Sequence, residues 1–253
     1  MCYFIIILKM LNMDDTYIEG ILVNHKCKNA IILENHRWFE LIHKKYGKKC
    51  QRIKYDSLDH ELLLINNTLI SIGQGASIVA ALAERFRVSG AKKIVRIATT
   101  GSLQENVKVG TVVIPFACIR DEGTSQHYLP KEVPCVASID LVNSLNLLLT
   151  KNKISTKIGI SWTTDGRWKE TTEKINCYKK LQCLSVDMET AGLYSVGMDR
   201  NMLVASLNIV TDAPHKDDLE YKGSLTTSVW NNTTILFTKI FDIVLEGFEN
   251  EKI

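Results

Sequence analysis

The stretch IVRIATTGSLQ, residues 94–104, decides the fold class. An apolar run with the composition of a β-strand carries one arginine, Arg96, and then gives way to Thr99, Thr100 and Gly101. Open α/β sheets place their sites where such strands stop and loops begin, so residues 99–101 are expected to form a loop at a site. A guanidinium inside an apolar strand is costly unless its charge is met. Two readings follow. Arg96, the Thr99 hydroxyl and glycine-exposed backbone N–H groups form an oxyanion or phosphate cradle, or Arg96 pairs with a structural carboxylate. The residues alone leave both open.

Outward from this stretch, short apolar runs alternate with segments of helical period. Strands are expected over residues 30–33, 62–65, 68–71, 94–98, 111–115, 157–162 and 203–210. Helices are expected over residues 76–88, 140–152, 172–180, 189–198 and 226–248. In the first helix Ile78, Val79, Leu82, Ala83 and Phe86 recur at helical spacing and define a buried face. The pattern predicts a three-layer α/β/α domain around a central mixed, twisted sheet. No repeat, low-complexity segment or Pro-rich linker divides the 253 residues, which contain four prolines. The expected organisation is a lead-in over residues 1–29 and one domain over residues 30–250.

Composition bounds the function. A net charge of +3, from 31 basic and 28 acidic residues, gives no footprint for nucleic acid. The one basic cluster, HKKYGKKCQRIK at residues 43–54, reads as a solvated helix end. Seven scattered cysteines form no CxxC pair and read as reduced thiols, so a cytoplasmic protein is expected. The opening MCYFIIILK is too short to span a bilayer and lacks a cleavage-site pattern, so neither membrane anchor nor signal peptide is expected. The histidines show no metal-ligand spacing, and no metal is expected.

Two further strand ends offer chemistry. In LNIVTDAPH, residues 207–215, Asp212 ends a very apolar strand. It is either a turn cap, as Asp-Ala-Pro favours, or a carboxyl with a raised pKa suited to donate a proton. In LSVDMETAGLYSVG, residues 184–197, an apolar run turns helical across Asp187, Met188 and Glu189. Asp187 is placed to cap the helix. Glu189 is a carboxylate able to accept both hydrogens of a vicinal diol, with Met188 as a soft apolar surface for the sugar.

Taken together, these segments resemble the nucleoside phosphorylase-I family. VDMETAGLY is similar to the family's V-E-M-E-A-A-G-[IL]-Y segment. GAKKIVRIATTGSLQENVKVGTVVIP (residues 90–115) resembles its central strand–loop–strand, and IRDEGTSQHYLP (119–130) the R-x-[DE]-G-T-S-x-H-Y-x-P insert of uridine phosphorylase-like members. SWTTDGRWKET (161–171) is similar to the T-[ST]-D-x-x-Y-[RK]-E loop, and VTDAP stands at the family's [VI]-S-D position. The motifs fall in order over residues 30–247, and an ordered set is far more specific than any one of them.

The resemblance implies roles. Arg96 and Thr99 align with the phosphate-binding residues, and Arg52 with an arginine lent to a neighbouring subunit's phosphate site. Met188 and Glu189 align with the ribose-holding pair, and Thr100 and Gly101 with the base-pocket backbone. Asp212 aligns with the acid at N7 of a purine. The implied reaction is phosphorolysis of a purine nucleoside, with inorganic phosphate as co-substrate, no cofactor, and a homo-oligomer (dimer, trimer of dimers or hexamer) as the working form. The chain also departs from the family. Its N-terminal phosphate loop, G-D-P-x-R, is absent; ENHRWFE (34–40) stands there, with Arg37 as the replacement arginine between Glu34 and Glu40. Arg167 replaces the aromatic that stacks on the base, and Trp168 follows it. These departures keep three alternatives open: a uridine phosphorylase, a nucleosidase in which Glu34 or Glu40 activates water, and a nucleoside-binding protein without catalysis.

Overall fold

Strand β5 (Lys93–Ser102) is the centre from which the sheet is built. It runs parallel to β1 (Asn29–Leu33) on one side and to β10 (Leu203–Asp212) on the other, and its last residues pair antiparallel with β9 (Cys183–Asp187). The computed structural model describes residues 26–54, 61–213 and 226–253. Beyond β1 the sheet continues through β4 (Thr68–Ile72) and β3 (Glu61–Ile65) to β2 (Cys50–Lys54) at the edge. In the other direction it passes from β9 through β8 (Thr156–Thr164) and β6 (Val112–Asp121) to β10, with the two-residue β7 (Cys135–Val136) paired to β6. Because β10 also pairs with β5, the strands β5, β9, β8, β6 and β10 close into a ring.

Side-chain alternation assigns the two faces. Ile31, Leu33, Val95 and Ile97 point to one core, shared with helices α1 (His36–Tyr46), α3 (Ile139–Lys151) and α6 (Thr227–Glu249). Ala30, Ile32 and Ile94 point to the other, against α2 (Ala76–Val88) and α5 (Thr190–Asp199). The short α4 (Thr172–Lys180) covers Trp162 and Cys183 through Ile175. This is the three-layer α/β/α arrangement that the alternation of patterns predicts. Each fully buried aliphatic or aromatic side chain contributes roughly 1.5–3 kcal/mol. The centre of the first core is an aromatic stack in which Trp38 lies 4.1 Å from Phe237 at 5°.

Several expectations are corrected. Residues 99–101 are strand, not loop: Thr99 and Thr100 register with Ile209 and Val210, and Gly101 with Asp212 and Val186. Helix α1 and strands β2, β7 and β9 lie outside the expected elements. Helix α1 buries Trp38, Phe39 and Ile42, and Asn35 caps it by accepting from the Trp38 N–H at 3.0 Å. Its last turn carries His43, Lys44 and Lys45, the cationic helix end expected of the basic cluster. Ile78 is 50% exposed, because α2 presents its buried face through Val79, Leu82, Ala83 and Phe86. The apolar residues 2–8 lie outside the described residues.

One close approach fixes how α5 sits. A Cβ on Gly192 would lie 2.7 Å from the Ala76 carbonyl oxygen, so glycine is what lets α5 lie against the start of α2. That contact brings the two helix N-termini together over the ends of β5 and β9.

Candidate active site

A cavity of about 280 Å³ opens where β1, β5, β9 and β10 end. Its walls are Glu34 just after β1, Thr99–Gly101 in β5, Met188 and Glu189 after β9, and Thr211 and Asp212 closing β10. Gln74 before α2, Arg167 and Glu170 from the loop after β8, and Trp230 from α6 complete it. The architecture thus gathers into one space residues that the sequence separates by well over a hundred positions.

Beneath the cavity lies a buried polar network around Arg96, which is fully buried. Its Nη2 donates to Glu189 Oε2, and its Nη1 to Asn208 Oδ1 at 3.1 Å, Ser206 Oγ at 3.3 Å and Asp187 Oδ2 at 3.4 Å. Burial works against the guanidinium charge, but Glu189 and Asp187 more than offset it and its pKa is raised. Pairing with carboxylates is therefore the arrangement Arg96 adopts. It lies under Glu189, does not line the cavity, and leaves its Nε–H without a partner among the described residues.

Asp187 holds the start of α5 from below. Its Oδ1 accepts from the Thr190 N–H at 3.3 Å and the Thr163 hydroxyl at 2.8 Å, and its Oδ2 from the Asn208 amide at 3.0 Å. It therefore serves the helix end as the sequence suggests, although the N-cap position itself is Glu189. Glu189 turns toward the cavity, where its Oε1 accepts from the Gly75 N–H at 2.8 Å. Gly75 presents that N–H from φ +82°, the left-handed region that favours glycine. Burial raises the pKa of Glu189, with Arg96 opposing.

Thr99 is already engaged. Its hydroxyl donates to Glu34 Oε1 at 2.8 Å and its N–H donates to Glu34 Oε2. A carboxylate of the chain thus occupies the hydroxyl that the cradle reading assigned to an external oxyanion, together with the Thr99 N–H. Across the cavity, burial pushes the Asp212 carboxyl above the usual range, with the Thr211 hydroxyl and Arg167 opposing. Glu170 is pushed up to about 7 by burial and then by Asp212, again with Arg167 opposing. The raised pKa agrees with the proton-donor reading of Asp212, and the turn it would cap on the other reading lies past Ala213, outside the described residues.

The comparisons with known proteins fit this geometry. Residues 63–242 match the family model described as the phosphorylase superfamily. The chain belongs to the nucleoside phosphorylase-I family. A DeoD-type purine nucleoside phosphorylase of Buchnera aphidicola is 30% identical over 134 residues, 53% of this chain and 56% of that relative. The chain therefore aligns with little more than half the length of that relative. Among solved structures, uridine phosphorylase from Vibrio fischeri superposes with a TM-score of 0.73 at 19% identity, covering 88% of this chain and 93% of that one. AMP nucleosidase from Bacteroides thetaiotaomicron gives 0.72 at 19% identity, covering 93% and 99%. At such identities the structures speak for the shared fold.

Set beside the family's pattern, Thr99, Thr100, Gly101, Arg167, Met188, Glu189 and Asp212 all line the one cavity. Arg37 and Trp168 do not. Arg37 lies over the Trp230 ring at 5.9 Å, and Trp168 is 85% exposed with Arg167 over its ring at 5.5 Å. Arg52 is on the edge strand β2, paired with Glu61 and, at 2.7 Å, with Glu40, remote from this chain's own cavity. Sequence reasoning did not reach Gln74, Trp230 or the network residues Ser206 and Asn208. Polar residues at alternate positions of the apolar strand 203–210 were the available signal for the last two. His36, Glu40 and Glu61 could together hold a cation among the described residues, but both carboxylates are engaged by Arg52. No described helix is long and apolar enough to cross a membrane. Lys222, the candidate for the arginine that purine members of the family keep near the acid, and Tyr17 and His25, the candidates for the family's N-terminal histidine, lie outside the described residues.

Proposed function

We propose that the protein is a pentosyltransferase that cleaves the N-glycosidic bond of a purine nucleoside with inorganic phosphate, giving free base and ribose 1-phosphate. The observation that carries this reading is the placement of Asp212, with its raised pKa, in one cavity with Glu189. Glu189 accepts the ribose 2′- and 3′-hydroxyls, releasing the Gly75 N–H. Phosphate oxygen attacks C1′ as the bond to N9 breaks, the bonding pair passes into the base, and Asp212 delivers its proton to N7. The transition state is oxocarbenium-like, so a nearby anion and a proton donor at the departing base both lower the barrier. The Buchnera relative, named as a purine nucleoside phosphorylase, supports both purine and phosphate. The reading carries with it a cytoplasmic role in nucleoside salvage and a homo-oligomer in which Arg52 serves a neighbour's phosphate site.

A second reading is favoured by Glu34. Its carboxylate holds both Thr99 donors, where a second anion would be repelled. In that reading water attacks C1′, and Glu34 accepts its proton. Base release from inosine, adenosine, guanosine and uridine, with and without phosphate, separates the two. Release that requires phosphate supports phosphorolysis, and release without it supports Glu34-assisted hydrolysis. Preference for uridine overturns the purine assignment, and no release from any of them overturns both enzymatic readings.

A further inference from the structure

Glu170 is a carboxyl with no role in the chemistry above. It lines the cavity from the loop after β8, is half-buried, and makes no hydrogen bond or ion pair among the described residues. The charged groups that act on it are Asp212, at the end of β10, and Arg167, on its own loop. Glu170 and Asp212 thus line the same cavity, and in the purine reading Asp212 is committed to N7.

The edge of a purine that carries N7 also carries the 6-substituent. Adenine presents N7 as an acceptor beside an amino donor, and guanine or hypoxanthine presents N7 beside an oxo acceptor. A group beside the one that meets N7 is thus placed to read position 6. We propose that Glu170 is a specificity-determining residue that reads the purine 6-substituent, donating to a 6-oxo group when protonated and accepting from a 6-amino group when ionised. This rests on the purine reading above.

The consequence is a preference that changes with pH. Burial and Asp212 push Glu170 up to about 7, so both of its forms are populated near neutral pH. Below that value the carboxyl donates and 6-oxo purines are favoured; above it the carboxylate accepts and 6-amino purines are favoured. N7, the sugar and the nucleophile are common to every purine nucleoside, so a ratio of two substrates isolates what the site does at position 6.

The test is kcat/KM for inosine, adenosine and purine riboside, which has no 6-substituent, in wild type and Glu170→Gln between about pH 6 and about pH 8. In wild type the inosine-to-adenosine ratio is expected to fall about tenfold as pH rises, the scale of the net worth of one hydrogen bond. In Glu170→Gln, whose amide both donates and accepts, the ratio should be flat while purine riboside turnover is retained, which also shows that the variant folds. A wild-type ratio independent of pH, or a pH dependence that persists in Glu170→Gln, overturns the proposal and leaves the purine reading standing. Wild-type protein that releases no base from any of the three overturns the purine reading, and the proposal with it.

Discussion

Asp212 shows how much one residue's surroundings decide. A carboxyl held above its usual range keeps its proton to higher pH than a free one, and the acid form is lost as pH rises through its folded value. Asp212→Asn is expected to lower kcat/KM for purine nucleosides by about 10²–10⁴-fold, the usual worth of a general acid, and to abolish the alkaline fall of the pH–rate profile. Steady-state kinetics checks this, and nucleoside binding retained in the variant separates lost chemistry from lost folding. Arg96 gives the complementary case. Arg96→Met leaves Asp187 and Glu189 as buried carboxylates without their cation. A loss of about 3–5 kcal/mol is expected. The loss should be larger at alkaline than at acid pH, because protonating Glu189, whose pKa burial already raises, relieves its repulsion with Asp187; thermal melting across pH measures it. The sequence showed that Arg96 needed a counter-charge but not which one, since Asp187 and Glu189 are some ninety positions away.

At the scale of elements, the long apolar runs were legible because hydrophobic period is a local property. Helices α2 and α4 match the expected ranges, and all seven expected strands are present, with β5 and β6 running several residues past their expected ends. What was not legible depended on partners. Thr99–Gly101 looked like a loop because their residues are small and polar; they are strand because β9 and β10 pair with both sides of β5. Strand β9 is short and runs almost directly into α5, so its period was masked by the helix that follows. Helix α1 carries basic and aromatic residues in a segment where the family has a phosphate loop, and only Asn35 announces its start. The junction of α2 and α5 yields a prediction of its own. Gly192→Ala forces a methyl against the Ala76 carbonyl, at a cost of about 1–3 kcal/mol for overpacking. Because the same junction presents the Gly75 N–H to Glu189, the nucleoside KM should rise more than kcat falls. A variant with lower melting temperature and unchanged KM would show that the crossing supports the fold without tuning the ribose site.

At the scale of the whole molecule, the cavity's ionic balance is incomplete for phosphate. Its lining carboxyls are Glu34, Glu170, Asp187, Glu189 and Asp212; Arg167 is the cation among the lining, and Arg96 beneath it is taken up by Asp187 and Glu189. A dianion bound there requires positive charge from elsewhere. Arg52 stands on β2, the last strand of the sheet, half-exposed and held by Glu40 and Glu61. It cannot serve its own cavity from that edge, but an edge strand is the part of a sheet most readily covered by another copy. Arg52→Ala should therefore be inactive for a reason different from that of Asp212→Asn: its own site keeps its acid but lacks the neighbour's arginine. Mixed oligomers of the two variants contain interfaces where an intact Asp212 site receives an intact Arg52. Refolding the inactive variants together should restore a substantial fraction of phosphate-dependent turnover, whereas each alone stays inactive. Absence of recovery in co-assembled oligomers, or a monomer of undiminished activity by sedimentation, would show that each chain works alone and that charge for phosphate must come from within it.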